Sequence, residues 1–138
     1  MGMPKKAHNW TGFSQRPNQA NFHIGTAQLS DLAGVFIPGI TLEIEVKTPI
    51  VAQRCLMFFT LRQRALGARP RLYQLEVCPT EKRSHNGDPV IYGPHEHFLE
   101  TDVSGVSEIG VNCDDWDGAL KWFLSRVNVI DLEVPNPC

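Results

Sequence analysis

The sequence predicts an α+β domain: a single, mainly antiparallel sheet of about four to six strands, with a C-terminal amphipathic helix at about 115–127 packed on one face. Three observations predict it. Ile40, Leu42, Ile44 and Val46 alternate with polar residues through 40–47, the period-two pattern of a half-buried strand. Trp116, Ala119, Leu120, Phe123, Leu124 and Val127 recur at the spacing of one apolar helical stripe. Between such segments stand clusters of Gly, Pro, Asn and Asp, the residues of turns.

Taken in order, residues 1–20 set Lys, Asn, Gln and Pro around isolated Trp10 and Phe13. They read as a mobile arm pinned by those two rings, which leaves 21–138 as one domain. Thr26 to Gly34 reads as a short helix, with Thr26 as N-cap and Gly34 just past its end. Pro38-Gly39 marks a turn before the strand at 40–47. Residues 54–64 form a second, more apolar strand, expected near the sheet centre. If 55–61 lay at an edge instead, it would need a partner, and a homodimer would follow. After a break at Gly67 to Pro70, residues 71–78 give a third strand with Tyr73, Leu75 and Val77 on one face. Residues 79–88 carry loop chemistry, and a fourth strand covers about 89–101 with an interruption at Gly93-Pro94.

A Gly/Ser loop then leads to a helix expected to begin at Asp114, where Asp114 and Asp117 have capping-box spacing. Asn128 suits the left-handed position after its end. Trp122 falls off the apolar stripe and is expected to cover a sheet edge. The tail alternates briefly from Ile130 and can add an edge strand before its prolines stop it.

The bulk properties narrow the function classes. The chain has 138 residues, the length of one typical domain. A net charge of −2 excludes a uniformly basic protein that coats nucleic acid. No run of about 18 apolar residues is present, so no membrane span is expected. The N-terminus lacks the apolar stretch of a secretory signal and the Ser or Thr of a myristoylation motif. Cys55, Cys78, Cys113 and Cys138 are widely spread with no C-x-x-C pair. They are expected as reduced thiols in a cytoplasm, with Cys55 and Cys78 buried as small hydrophobes.

Chemistry concentrates in Ser84 to His97, which holds three of the five histidines. On an extended 95–101, His95 and His97 project from one face, because strand side chains alternate. Such a pair can move protons near neutral pH or supply two metal ligands. His85, on the preceding loop, can fold back over it. With Cys78 or Glu100 as a fourth ligand, His85, His95 and His97 would make a mixed set suited to zinc. The alternative is a pair of ordinary surface histidines on an edge strand.

Charge is uneven along the chain. Residues 54–83 hold seven basic against two acidic side chains, a net +5, whereas 96–133 hold two basic against nine acidic, a net −7. A basic sheet side and an acidic helix side are expected. Arginines beside imidazoles suit a phosphodiester, with the guanidinium holding phosphate and the imidazoles moving protons.

Pro38-Gly39 before a strand, a basic strand pair, His85-Asn86-Gly87-Asp88, Pro94-His95-Glu96-His97 and a Phe-Leu helix ending at Asn128 together resemble a family of small uncharacterised bacterial and phage proteins. The likeness covers about 26–137, and the turn with Pro-His-x-His is its most specific part. This chain departs from it at Phe98 and Leu99, where the family tends to carry a Tyr. The resemblance implies a mobile-element setting in a phage or plasmid and a site at the histidines; it implies no reaction.

Three expectations follow. The first is an RNase-like toxin acting on nucleic acid, with His85, His95 and His97 as acid and base and Arg62, Arg64, Arg71 and Asn86 holding the phosphate. The second is a non-enzymatic inhibitor of a host protein, docking by its acidic helix side through Asp114, Asp115 and the anchor Trp122. The third is a structural zinc domain.

Overall fold

Strand alternation organises nearly the whole molecule. The structure, a computed structural model, describes residues 2–48, 55–64, 70–85, 87, 89–99, 102–108 and 110–137. In chain order the elements are β1 (Lys5–His8), β2 (Ser14–Gln15), β3 (Phe22–Ser30), β4 (Phe36–Lys47), β5 (Leu56–Gln63) and β6 (Arg71–Val77). There follow β7 (Arg83–His85), β8 (Ile91–Tyr92), β9 (His95–Phe98), β10 (Asp102–Gly105), α1 (Trp116–Val127) and β11 (Val129–Ile130). Nine strands make one sheet in the order β10-β9-β6-β5-β4-β3-β1-β11, with β2 beside β3; β7 and β8 form a separate ribbon. All described pairings are antiparallel except β1 with β11.

Among the described residues the fold is therefore mostly β, with a nine-stranded mixed sheet and one short helix, and the expected α+β domain of four to six strands is corrected. Three segments account for the difference. Thr26 to Gly34, expected as a helix, falls largely in β3, where Ala27 and Leu29 are buried and Thr26 and Gln28 face the other way. Pairing with β4 over most of its length overrides the helix-end signals of Thr26 and Gly34. Residues 102–105, within the expected Gly/Ser loop, form β10, which pairs antiparallel with β9. Within the first twenty residues, 5–8 and 14–15 form β1 and β2, and Trp10 and Phe13 pack against the core. Trp10 lies across Gly25, where an added Cβ would collide with its ring and with the Gly12 carbonyl, so only glycine admits it.

Cross-strand register builds the core in rows. Leu42, Leu61 and Tyr73 stand side by side, as do Ile44, Phe59 and Leu75, and Val46, Met57 and Val77. Helix α1 lays Trp116, Ala119, Leu120, Phe123 and Val127 across these rows. The Phe59 ring centroid is 5.5 Å from that of Trp116 and 5.4 Å from that of Phe123. Asp115, not Asp114, caps the helix: its carboxylate accepts from the Gly118 N–H at 2.8 Å. Asn128 ends it in the left-handed conformation, φ 58°. Lys5, buried on β1, donates from Nζ to the Val127 carbonyl at 2.8 Å, placing a cation at the negative end of the helix.

One further expectation is corrected, and one is met. Cys55 and Cys113 form a disulfide that joins the start of β5 to the loop before α1, at a sequence separation of 58. The reading of cytoplasmic thiols thereby loses its premise, and among the described residues only Cys78 is a free thiol, which is buried. The apolar strand at 55–61 lies between β4 and β6, within the sheet as expected, so the edge condition for a homodimer does not arise. No described helix is long and apolar enough to cross a membrane.

Candidate functional site: three imidazoles on the polar sheet face

The alternation that sends Tyr73, Leu75 and Val77 toward α1 sends Gln74 and Glu76 to the opposite face. Register then places His97 beside Gln74 and His95 beside Glu76, so both histidines stand on that face. Between them Glu96 points to the helix side, where it accepts from the Tyr73 hydroxyl at 2.8 Å and from Arg126 at 3.0 Å. The Tyr73 hydroxyl is pushed well above its usual range by burial and by the Glu96 carboxylate.

The β7–β8 ribbon brings in His85. It is held where Gly93 turns the chain at φ +80° and its N–H donates to the Lys82 carbonyl at 2.8 Å. A Cβ at Gly93 would lie 3.1 Å from the Thr80 backbone, so the close approach and the positive φ both require glycine. The result is a cluster of three imidazoles. Ring centroids are 4.8 Å apart for His95 and His97, 5.9 Å for His85 and His97, and 6.1 Å for His85 and His95.

Their surroundings differ. His95 is only 1% exposed, with Nδ1 3.0 Å from Ser84 Oγ and 3.3 Å from the Gly93 carbonyl. The Ser84 hydroxyl donates to the Gly93 carbonyl at 2.6 Å, and a carbonyl can only accept, so Nδ1–H is the donor in the His95 contacts. Burial holds the His95 imidazole below its ordinary value; the charges of His85 and Arg71 lower it further, and the Gly93 bond opposes them. Its Nε2 faces Glu76 Oε1 at 3.8 Å. Burial pushes the Glu76 carboxyl up, against the opposing charges of Lys82, Arg71 and His85. Burial thus favours the uncharged form of both groups, a neutral imidazole beside a carboxyl that keeps its proton more readily. His97 is 9% exposed and His85 is half-buried. His85 donates from Nδ1 to the Pro89 carbonyl at 2.7 Å, which leaves Nε2 as its lone-pair nitrogen when neutral.

Of the arginines expected to hold phosphate, Arg71 belongs to this cluster. It donates to Gln74 Oε1 at 3.1 Å, and its charge bears on both His95 and Glu76. Arg62 stands on the same face one strand away, paired with Glu43 at 2.7 Å. Arg64 lines a separate cavity with Phe36, Pro38 and Ile40. Asn86 and Glu100 lie outside the described residues. Cys78 is buried beside Ser84, its thiol pushed up by burial and by the Glu76 charge. Among the described residues no three His, Cys, Asp or Glu side chains are grouped to hold a metal ion, and Glu100, the alternative fourth ligand, lies outside them. Asp114 and Asp115 are exposed at the head of α1, and Trp122 is partly packed on the core beneath the Arg126 guanidinium, 5.8 Å from its ring.

Comparison of the chain with family models, with curated proteins and with solved structures finds no match in any of the three.

Sequence reasoning missed Glu76, Ser84 and Gln74. Gln74 and Glu76 were legible as the polar half of the alternation in 71–78, but that pattern reads as a wet face. Nothing local shows that β9 and the β7–β8 ribbon enclose them.

Proposed function

We propose that this protein is a histidine-dependent ribonuclease that cleaves an RNA phosphodiester at the imidazoles of β7 and β9. The observation that supports this reading is the mutual approach of His85, His95 and His97, every pair of rings within 6.1 Å, with the Arg71 guanidinium acting on the same group. Imidazoles exchange protons near neutral pH, and a guanidinium stabilises charge that develops on phosphate oxygens.

The burial pattern divides the work. At 1% exposure His95 does not meet substrate and acts as a positioning residue, fixed by Ser84 and the Gly93 carbonyl. Contact falls to His85 and His97. His85 presents Nε2 as a base and takes the proton of the ribose 2′-hydroxyl while that oxygen attacks phosphorus. His97 gives a proton to the departing 5′-oxygen, and Arg71 offsets the added charge at phosphorus. The P–O5′ bond breaks, and the products are a 2′,3′-cyclic phosphate and a 5′-hydroxyl. Protons balance within the pair, and no further reactant is consumed.

His85→Gln and His97→Asn should each slow cleavage about 10²–10⁴-fold, the usual contribution of a positioned acid or base. The melting temperature should stay close to that of the parent. A parent protein that leaves RNA intact, or variants that cleave as fast as the parent, would overturn the proposal.

A further inference from the structure

The polar sheet face continues beyond the histidines into a cavity of about 200 Å³, lined by Arg16, Glu43, Glu45, Phe58, Thr60, Arg62 and Gln74. This is below the ~300–1,000 Å³ of sites for drug-sized ligands, and it suits one small ring system. The cavity joins the imidazole cluster through a single residue. Gln74 lines the cavity, donates to Thr60 Oγ1 at 2.9 Å, accepts from Arg71 at 3.1 Å and is the cross-strand neighbour of His97. Adjacent strands are about 4.8 Å apart, and the cavity is centred on β5, two strands from β9. A group in it therefore sits roughly 10 Å from His97, about the span from a base edge to the phosphate of its own nucleotide.

The walls are specific in chemistry. Glu43 and Thr60 are 7% and 2% exposed, so the floor is built and not a chance surface dent. Glu43 is held by the Arg62 Nε at 2.7 Å, and both Glu45 oxygens receive Arg16 Nη1 at 2.9 Å. Each carboxylate is thus fixed beside a guanidinium, which sets acceptors next to donors. Half-buried Phe58 supplies an aromatic surface, and aromatic rings stack on bases of every kind. Among the four RNA bases, guanine alone carries two adjacent donors, N1–H and N2–H₂, next to an acceptor, O6. A carboxylate beside a guanidinium matches that edge, the carboxylate taking the two donors and the guanidinium reaching O6.

We infer that this cavity is a guanine subsite: Glu43 and Arg62 read the base edge, Phe58 stacks on it, and the attached ribose is directed toward His85 and His97. The inference rests on the ribonuclease reading for its substrate, but its binding arm can be tested without cleavage.

The experiment has two arms on the full-length protein. In the first, four DNA oligonucleotides, each with a single ribonucleotide, rG, rA, rC or rU, are compared as substrates. Cleavage after rG should be at least tenfold faster than after the other three, and Glu43→Gln should reduce that ratio at least tenfold. In the second, guanosine, adenosine, cytidine and uridine 3′-monophosphates are titrated and binding is followed by NMR. The guanosine nucleotide should bind at least tenfold more tightly and perturb the Phe58 and Gln74 signals. Cleavage at equal rates after all four bases overturns the guanine subsite and leaves the ribonuclease standing. Selective guanosine binding without cleavage does the reverse. Equal binding of all four nucleotides by the unmodified protein also overturns the subsite, whatever the Glu43 variant does.

Discussion

Glu76 and His95 stand 3.8 Å apart, and burial moves them in opposite directions, the carboxyl up and the imidazole down. Their contributions to stability therefore run against each other with pH. The raised Glu76 favours the fold when protonated: its contribution is complete below the ordinary 4.5 and is lost as pH rises through the folded value. The lowered His95 favours the fold when neutral: its contribution is present above the ordinary 6.5 and is lost as pH falls through the folded value. Between those limits the two act in opposite directions in the parent protein. Single variants separate them. Relative to the parent, Glu76→Gln should lose stability as pH falls from 7 to 5, because it lacks the carboxyl that gains. His95→Asn should gain relative stability over the same range. Urea midpoints at the two pH values read this directly, and shifts of the same sign in both variants would show that the pair is not opposed.

At the scale of elements, α1 shows what local sequence carries and where it stops. The apolar stripe through Trp116 and Val127 was legible because period 3.6 is a local property, and five of its residues are buried on the sheet. The cap was misplaced by one residue, since Asp114 and Asp115 are both good caps and only the chain path decides between them. Asp115→Ala should cost about 1 kcal/mol, the usual loss of an N-cap side chain. Asp114→Ala, at an exposed position, should cost less than about 0.5 kcal/mol. Equal losses in thermal melts would move the cap back to Asp114. The strands behave alike: β4, β5 and β6 alternate openly in sequence, whereas β3 carried helix-end residues and β10 only Asp102 to Gly105, too short and polar to announce itself.

For the whole molecule, what the sequence hid is what depends on distant segments. β1 pairs in parallel with β11, Lys5 opposite Val129, and no window of sequence spans that pairing. Cys55 and Cys113 meet for the same reason. Closing a loop of that length restricts the unfolded chain by about 4 kcal/mol in the chain-entropy account. Replacing both cysteines by alanine should lower unfolding stability by that order, measured by urea denaturation, and unchanged midpoints would show that the link adds nothing. The site follows this division. His95 and His97 on one strand face were readable from their spacing. The arrival of His85, the exclusion of Arg64 and the enclosure by Glu76 and Ser84 came from topology.

The most direct measurement replaces a single atom of the substrate. An RNA oligonucleotide and a copy bearing one 2′-deoxy residue at the cleaved position are incubated with the parent protein, and the products are weighed by mass spectrometry. Attack by the 2′-oxygen predicts a 2′,3′-cyclic phosphate from the RNA and no cleavage at the deoxy position. Cleavage at that position as fast as in the RNA would contradict the account.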